Sequence, residues 1–285
     1  PQGNYSPEIK VISPEAKTIV STSIEYEVST KLNIKTNIAL QYHDKNLFSN
    51  LDDNDNNSIA SSFSSEYNLI DNSKWKLKMI NEIEYISDGF EGVNRFQNVE
   101  FNRDWNITSL SNSHLLIENS LILFSEKKDL IEIKRKYLKK EGDYIGEQNI
   151  LNIELDFKKL ELSSLTHYSN IHQSDINSEI FRSENSIINN FKKFILSFNS
   201  HNESILNYKT SNNLNLNSFS FIDLSSNLHN RSQTFSINLK YRKDKKVSNN
   251  IMSDFSLANE LAVNLYMIQA KNLKYKNRVI YSHIK

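Results

Sequence analysis

Lys31-Leu32-Asn33-Ile34-Lys35-Thr36-Asn37-Ile38-Ala39-Leu40-Gln41-Tyr42-His43 decides the fold. Leu32, Ile34, Thr36, Ile38, Leu40 and Tyr42 share one parity, while Lys31, Asn33, Lys35, Asn37 and Gln41 share the other. Successive side chains of a β-strand leave on opposite sides of the sheet, so this run builds a ribbon with one apolar and one wet surface. The same sorting recurs in 74–86, where Trp75, Leu77, Met79, Ile83 and Tyr85 oppose Lys74, Lys76, Lys78, Glu82 and Glu84. It recurs in 233–242 with Phe235, Ile237, Leu239 and Tyr241, and in 273–285 with Leu273, Tyr275, Val279 and Tyr281.

Working outward, alternation between turn-forming clusters marks about sixteen strands and no convincing helix. They are 17–29, 31–43, 58–70, 74–86, 97–107, 114–124, 130–138, 149–157, 160–168, 180–189, 194–201, 204–210, 214–228, 233–242, 255–269 and 273–285. Short joints such as 71–73 and 158–159 separate some of them, and polar loops at 44–57, 87–96, 139–148, 169–179 and 243–254 separate others. Short and long joints alternate over the first four connections, as in an antiparallel meander with tight turns at one sheet end, and the phase slips after about residue 125. All three prolines lie at or before position 14, so 1–16 reads as a linker or loop and 17–285 as one antiparallel β domain.

The chain has 285 residues, long enough for one large β domain or two modest ones. Its 34 basic and 34 acidic side chains cancel, which removes the electrostatic case for a nucleic-acid partner or a polybasic membrane-surface binder. Hydrophobic residues make up 38% and mean hydropathy is −0.56, low for a thick double-sided core and in keeping with strands that offer one greasy face each. A barrel with a watery lumen, a single-layer sheet and a polar sandwich all fit. There is no cysteine for a disulfide or a thiolate metal site. No apolar stretch of about 18 residues occurs, which excludes an ordinary transmembrane helix and leaves transmembrane strands of about 9 to 11 residues open. The first residues carry no initiator Met, basic region or apolar run of a signal peptide, and the chain reads as a mature piece or a fragment.

Aromatic residues near both ends of apolar strand faces match the girdles of outer-membrane barrels, although Tyr, Trp and Phe favour any sheet. Asn81, Arg103 (between Phe101 and Trp105) and Arg135 (between Ile133 and Tyr137) interrupt these faces. A basic side chain facing lipid at the midplane costs roughly 2 to 4 kcal/mol, so those strands are expected to project beyond a membrane or to belong to a soluble portion. Five glycines are few for a tightly closed barrel.

Few residues point to chemistry. Asp53, Asp55 and Asn57, in the oxygen-rich loop 52–57, have the first spacings of a calcium loop, but Ser58 stands where Gly is needed and Ser64 where a bidentate Glu is needed. A solvated hairpin loop is the expectation. His167, His172 and Asp175 lie close in sequence at a spacing that fits no standard zinc pair, and are expected in a polar surface loop. No nucleophile elbow, phosphate-binding glycine loop or zinc-protease motif is present. No catalytic, cofactor-binding or metal residue is assigned, and no cofactor. In a barrel, the Lys74, Lys76 and Lys78 stripe would line the lumen, its charges paired with acids on neighbouring strands.

The segments 44–56, Asp-Lys-Asn-Leu-Phe-Ser-Asn-Leu-Asp-Asp-Asn-Asp-Asn, and 94–106, Asn-Arg-Phe-Gln-Asn-Val-Glu-Phe-Asn-Arg-Asp-Trp-Asn, resemble stretches of very large, β-strand-rich cell-envelope proteins of Bacteroidota. The resemblance covers about a third of the chain, mainly 30–110. It implies an outer-membrane setting and a longer parent, and no established activity or catalytic residue. The last residues, Tyr281-Ser282-His283-Ile284-Lys285, lack the terminal aromatic of a barrel-assembly signal.

The resulting expectation is an all-β antiparallel meander forming an outer-membrane β-barrel or part of one. It would be a non-enzymatic pore, transporter or secretion scaffold that contacts outer-membrane lipid and other envelope proteins. The alternatives are a soluble or surface-exposed β protein that binds partners through its edges and, more weakly, a membrane-embedded hydrolase.

Overall fold

The computed structural model describes residues 13–49, 51, 53–92, 100–107, 113–126, 129–212, 214–232, 234–248, 250–269 and 273–284. Among the described residues, fourteen strands run as one antiparallel sheet in which each pairs with its sequence neighbours. They are β1 (Ala16–Ser29), β2 (Leu32–Asp44), β3 (Asn57–Asp71), β4 (Trp75–Ile86), β5 (His114–Ser125), β6 (Leu130–Lys140) and β7 (Tyr144–Asp156), then β8 (Leu160–Gln173), β9 (Ile176–Asn190), β10 (Phe194–Lys209), β11 (Phe219–Asn230), β12 (Phe235–Ser248), β13 (Ile251–Gln269) and β14 (Leu273–Ile284). The sheet order is β1 to β14 without a crossover, and the sheet is not closed: β1 and β14 are its two edges.

Fourteen strands replace the expected sixteen for two reasons. The stretch predicted as a strand at 97–107 contains, in its described part, a single helical turn, α1 (Phe101–Asp104). The two predicted strands 194–201 and 204–210 are one, β10, because Asn202 and Glu203 stay in register with Ser183 and Arg182 on one side and Ile222 and Phe221 on the other. The predicted start of the next strand at 214 moves to Phe219, leaving 210–218 as a loop in which Asn215 bridges Tyr208. Three predicted loops shrink to the joints 141–143, 174–175 and 249–250, with the rest of each absorbed into strands.

This regularity explains the apparent slip in phase. Connections at one sheet end are 30–31, 72–74, 126–129, 157–159, 191–193, 231–234 and 270–272, all short. Those at the other end are 45–56, 87–113, 141–143, 174–175, 210–218 and 249–250, so every long connection lies at that end beside some tight turns.

Register carries parity from strand to strand. Met79, Leu121, Ile133 and Leu151 stand side by side across β4 to β7, and the odd residues Phe235, Ile237 and Leu239 of β12 face Leu265, Val263 and Leu261 of β13. These belong to one apolar face that the described residues leave uncovered: Val20, Ile24, Ile133 and Val279 each expose more than half of their area. The opposite, polar face carries Glu82, Glu118, Lys136, Gln148 and Ser169 in one row across β4 to β8. Cross-strand ion pairs knit it together, as expected for the lysine stripe: Lys78 to Glu66 at 2.6 Å, Lys76 to Asp71 at 3.5 Å and Lys136 to Glu118 at 2.9 Å. Lys74 lies in the turn before β4.

A polar stripe, Asn81, Asn119, Arg135 and Asn149, crosses the apolar face in register on β4 to β7. Arg135 sits mid-strand, paired with Glu147 at 3.0 Å. Arg103, expected on a strand face, is instead in α1 and pairs with Glu100 at 3.1 Å.

Candidate functional site

The polar face is covered where the connection after β4 folds back onto it. Glu100-Phe101-Asn102-Arg103-Asp104-Trp105-Asn106-Ile107 makes one helical turn and stops. The stop is local chemistry: Asn106 adopts φ 47°, which a short polar side chain tolerates. Its N–H donates to the Arg103 carbonyl at 3.2 Å, and the Ile107 N–H donates to the Asn102 carbonyl at 2.8 Å, the paired bonds of a Schellman ending. The turn presents Trp105, Asp104 and Asn106 to the wall formed by β6 to β10.

Each is received by a specific group. The Trp105 ring lies on Gly146 of β7, where a Cβ would come within 2.8 Å of the ring. Trp105 joins Leu138, Tyr144, Ile171 and Ile180 in the buried apolar cluster, with Phe101, Ile107, Leu116 and Ile205 packed around it. The Tyr144 hydroxyl donates to the Trp105 carbonyl, and the Gln148 amide donates to the Asp104 carbonyl at 2.9 Å. The Asn106 amide donates to the Ser178 hydroxyl at 3.1 Å. Arg182 donates through one terminal nitrogen to the Asp104 carboxylate at 2.8 Å and through Nε to Glu203 of β10 at 3.0 Å. Its side chain is only 14% exposed, so each carboxylate matters to keeping that buried cation paired.

The beginning of the same connection is tied to the same polar face, nearer the β1 edge. Gln41 of β2, 2% exposed, donates its amide to the Gly89 carbonyl at 3.1 Å and accepts the Glu91 N–H at 3.0 Å. Gly89 holds φ +74°, a left-handed conformation that costs glycine little. The Glu91 carboxylate lies 3.5 Å from Lys17 of β1 and 3.9 Å from Lys45. The connection is therefore anchored at residues 89–91 on β1 and β2 and at residues 104–106 on β7 to β9.

The remainder of the polar face is lined with Ser, Asn and paired charges. A recess of about 600 Å³ lies over β1 to β4 beside Phe90, with Ser21, Ser23, Asn37 and Ser62 among its walls. A smaller one of about 320 Å³ is lined by Glu184, Ser186, Asn199, His201 and Asp223. Arg242 stacks 4.4 Å from the Phe221 ring centre and pairs with Asp244 at 3.1 Å. Such a surface is hydrophilic and has no single sign of charge.

The candidates named from sequence do not converge. His167 and His172 belong to β8 and not to the expected loop, and their opposite parity sends them to opposite faces. His172 contacts the Asn177 amide oxygen at 2.6 Å, and Asp175 lies in the turn that follows. His167, on the polar face, is 2.8 Å from the Ser169 hydroxyl, a pair the sequence reading missed because it placed 169–179 in a loop. Ser169 is fully buried, so its oxygen meets no solute while the turn is docked. In loop 52–57, Asp53–Asp55 forms a single 3-10 turn whose Asp53 carboxylate accepts the Asn56 amide at 3.2 Å; residue 52 lies outside the described residues. Among the described residues no group of three or more His, Asp or Glu is placed to hold a metal ion. No protein-family model matches the chain, and no curated protein matches it in sequence.

Proposed function

We propose that the chain forms the wall of an outer-membrane β-barrel, a non-enzymatic pore, transporter or secretion scaffold whose polar face borders a water-filled passage. The observation that carries this reading is the shared parity of the sheet, with one uncovered apolar face and one face of paired charges, Ser and Asn. A soluble single-layer sheet would leave that whole apolar face in water, whereas soluble monomers usually expose only a few hundred Å² in one patch. In a bilayer the same surface meets acyl chains, and antiparallel strands satisfy one another's backbone groups without water. The gathering of every long connection, 45–56, 87–113 and 210–218, at one sheet end is in keeping with the asymmetry of such barrels, though tight turns share that end. Closure would come from joining the two edges directly or through strands of a longer parent. The partners implied are outer-membrane lipid and neighbouring envelope proteins.

The open edges β1 and β14 favour a second reading, a surface-exposed sheet that adds partner strands at its rims. Extraction and gel migration separate the two. The barrel reading expects extraction from membranes only with detergent, and a folded band that shifts on boiling. Solubility in plain buffer with migration indifferent to heat would favour the edge-binding sheet and reject the barrel.

A further inference from the structure

We propose that the turn at Glu100–Ile107 is a detachable gate across the passage, latched to the wall through Arg182; this rests on the pore reading above. Three features distinguish a latch from permanent filler. The polar contacts between the turn and the wall are made by wall side chains, since Tyr144, Gln148, Ser178 and Arg182 all reach it from strands to which it contributes no ladder pairing. When Asp104 leaves, Arg182 keeps Glu203, so the buried guanidinium is not stranded without a carboxylate. The seat beneath is mixed: beside the apolar Leu138, Ile171 and Ile180 it carries Gln148 and Ser169 in register, with Ser178 near them, so water can replace the polar bonds that the turn gives up.

Apolar contact favours the docked state. Trp105 over Leu138, Ile171 and Ile180 would have to leave its pocket for the passage to widen. The two tendencies oppose each other, and this balance is what makes an element bistable. The tether at Gln41 and Glu91 lies on β2 and the preceding segment, away from the latch, so an undocked turn stays attached to the wall.

The test uses the full chain, in detergent and in planar bilayers. D104N removes the charge of the latch and keeps the shape of the side chain; N106C/S178C places a disulfide across the 3.1 Å Asn106–Ser178 contact. In detergent, a cysteine at the buried Ser169 position should react with a small maleimide about tenfold faster or more in D104N, the change expected for losing a charge-assisted hydrogen bond. In bilayers, D104N should raise the open probability, and the oxidised N106C/S178C bond should cancel that rise until it is reduced. Unchanged labelling in D104N overturns the latch, and faster labelling with unchanged conductance overturns the gate. Absence of channels from the wild-type chain, together with heat-indifferent migration, would fail the pore reading instead, and the labelling comparison still decides whether the latch exists.

Discussion

Gly146 is where a single atom matters most. No positive φ requires glycine there; the requirement is the Trp105 ring resting on its Cα. Gly146→Ala would push a methyl to within 2.8 Å of that ring, and overpacking of this kind costs about 1 to 3 kcal/mol. With Trp75 replaced by Phe, so that Trp105 alone reports, G146A should red-shift the emission and lower the unfolding midpoint; unchanged emission would mean that the ring does not depend on this seat. A lone glycine inside a strand is a sign of close approach, but turn-forming residues on either side place 139–148 in a loop when read from sequence, so this seat emerges only once β7 is seen to begin at Tyr144. The Arg182 bridge was not legible in the sequence either, because Asp104 and Glu203 lie 78 and 21 residues away from it and only the fold brings them together.

At the scale of the element, parity made nearly every strand legible, and its failures have definite causes. Phe101 and Trp105 are four apart, a spacing that satisfies both a strand's period of two and one helical turn, so α1 was read as a strand. Asn202-Glu203 has the composition of a turn, yet pairing on both sides holds it extended. Parity also placed Arg135 correctly on an apolar face, where Glu147 now accounts for part of its cost. An exposed ion pair in water is worth about 0 to 1 kcal/mol, whereas a basic residue facing lipid at the midplane costs about 2 to 4 kcal/mol. The double variant R135L/E147L should therefore stabilise the protein measurably in bilayers and be near neutral if that face meets water. Urea titrations in phosphatidylcholine vesicles read the difference.

Over the whole molecule, two surfaces of opposite character share one layer of backbone, and neighbouring residues should respond oppositely to the same change. Leu151 lies on the apolar face beside Ile133, while Asn152 lies on the polar face opposite Glu132. A lysine at Asn152 meets water and an acid across the ladder, so N152K should fold like the wild type. A lysine at Leu151 meets acyl chains if the sheet spans a bilayer, so L151K should lose about 2 to 4 kcal/mol, less if that height is near the interface. Both variants alter β7 by one residue in adjacent positions, so strand propensity and proximity to the turn largely cancel in the comparison. Folding yield into vesicles, read by the heat shift on gels, should drop for L151K alone. Equal tolerance of both would place water on each side of the sheet and leave edge pairing as the account of how this chain finds its partners.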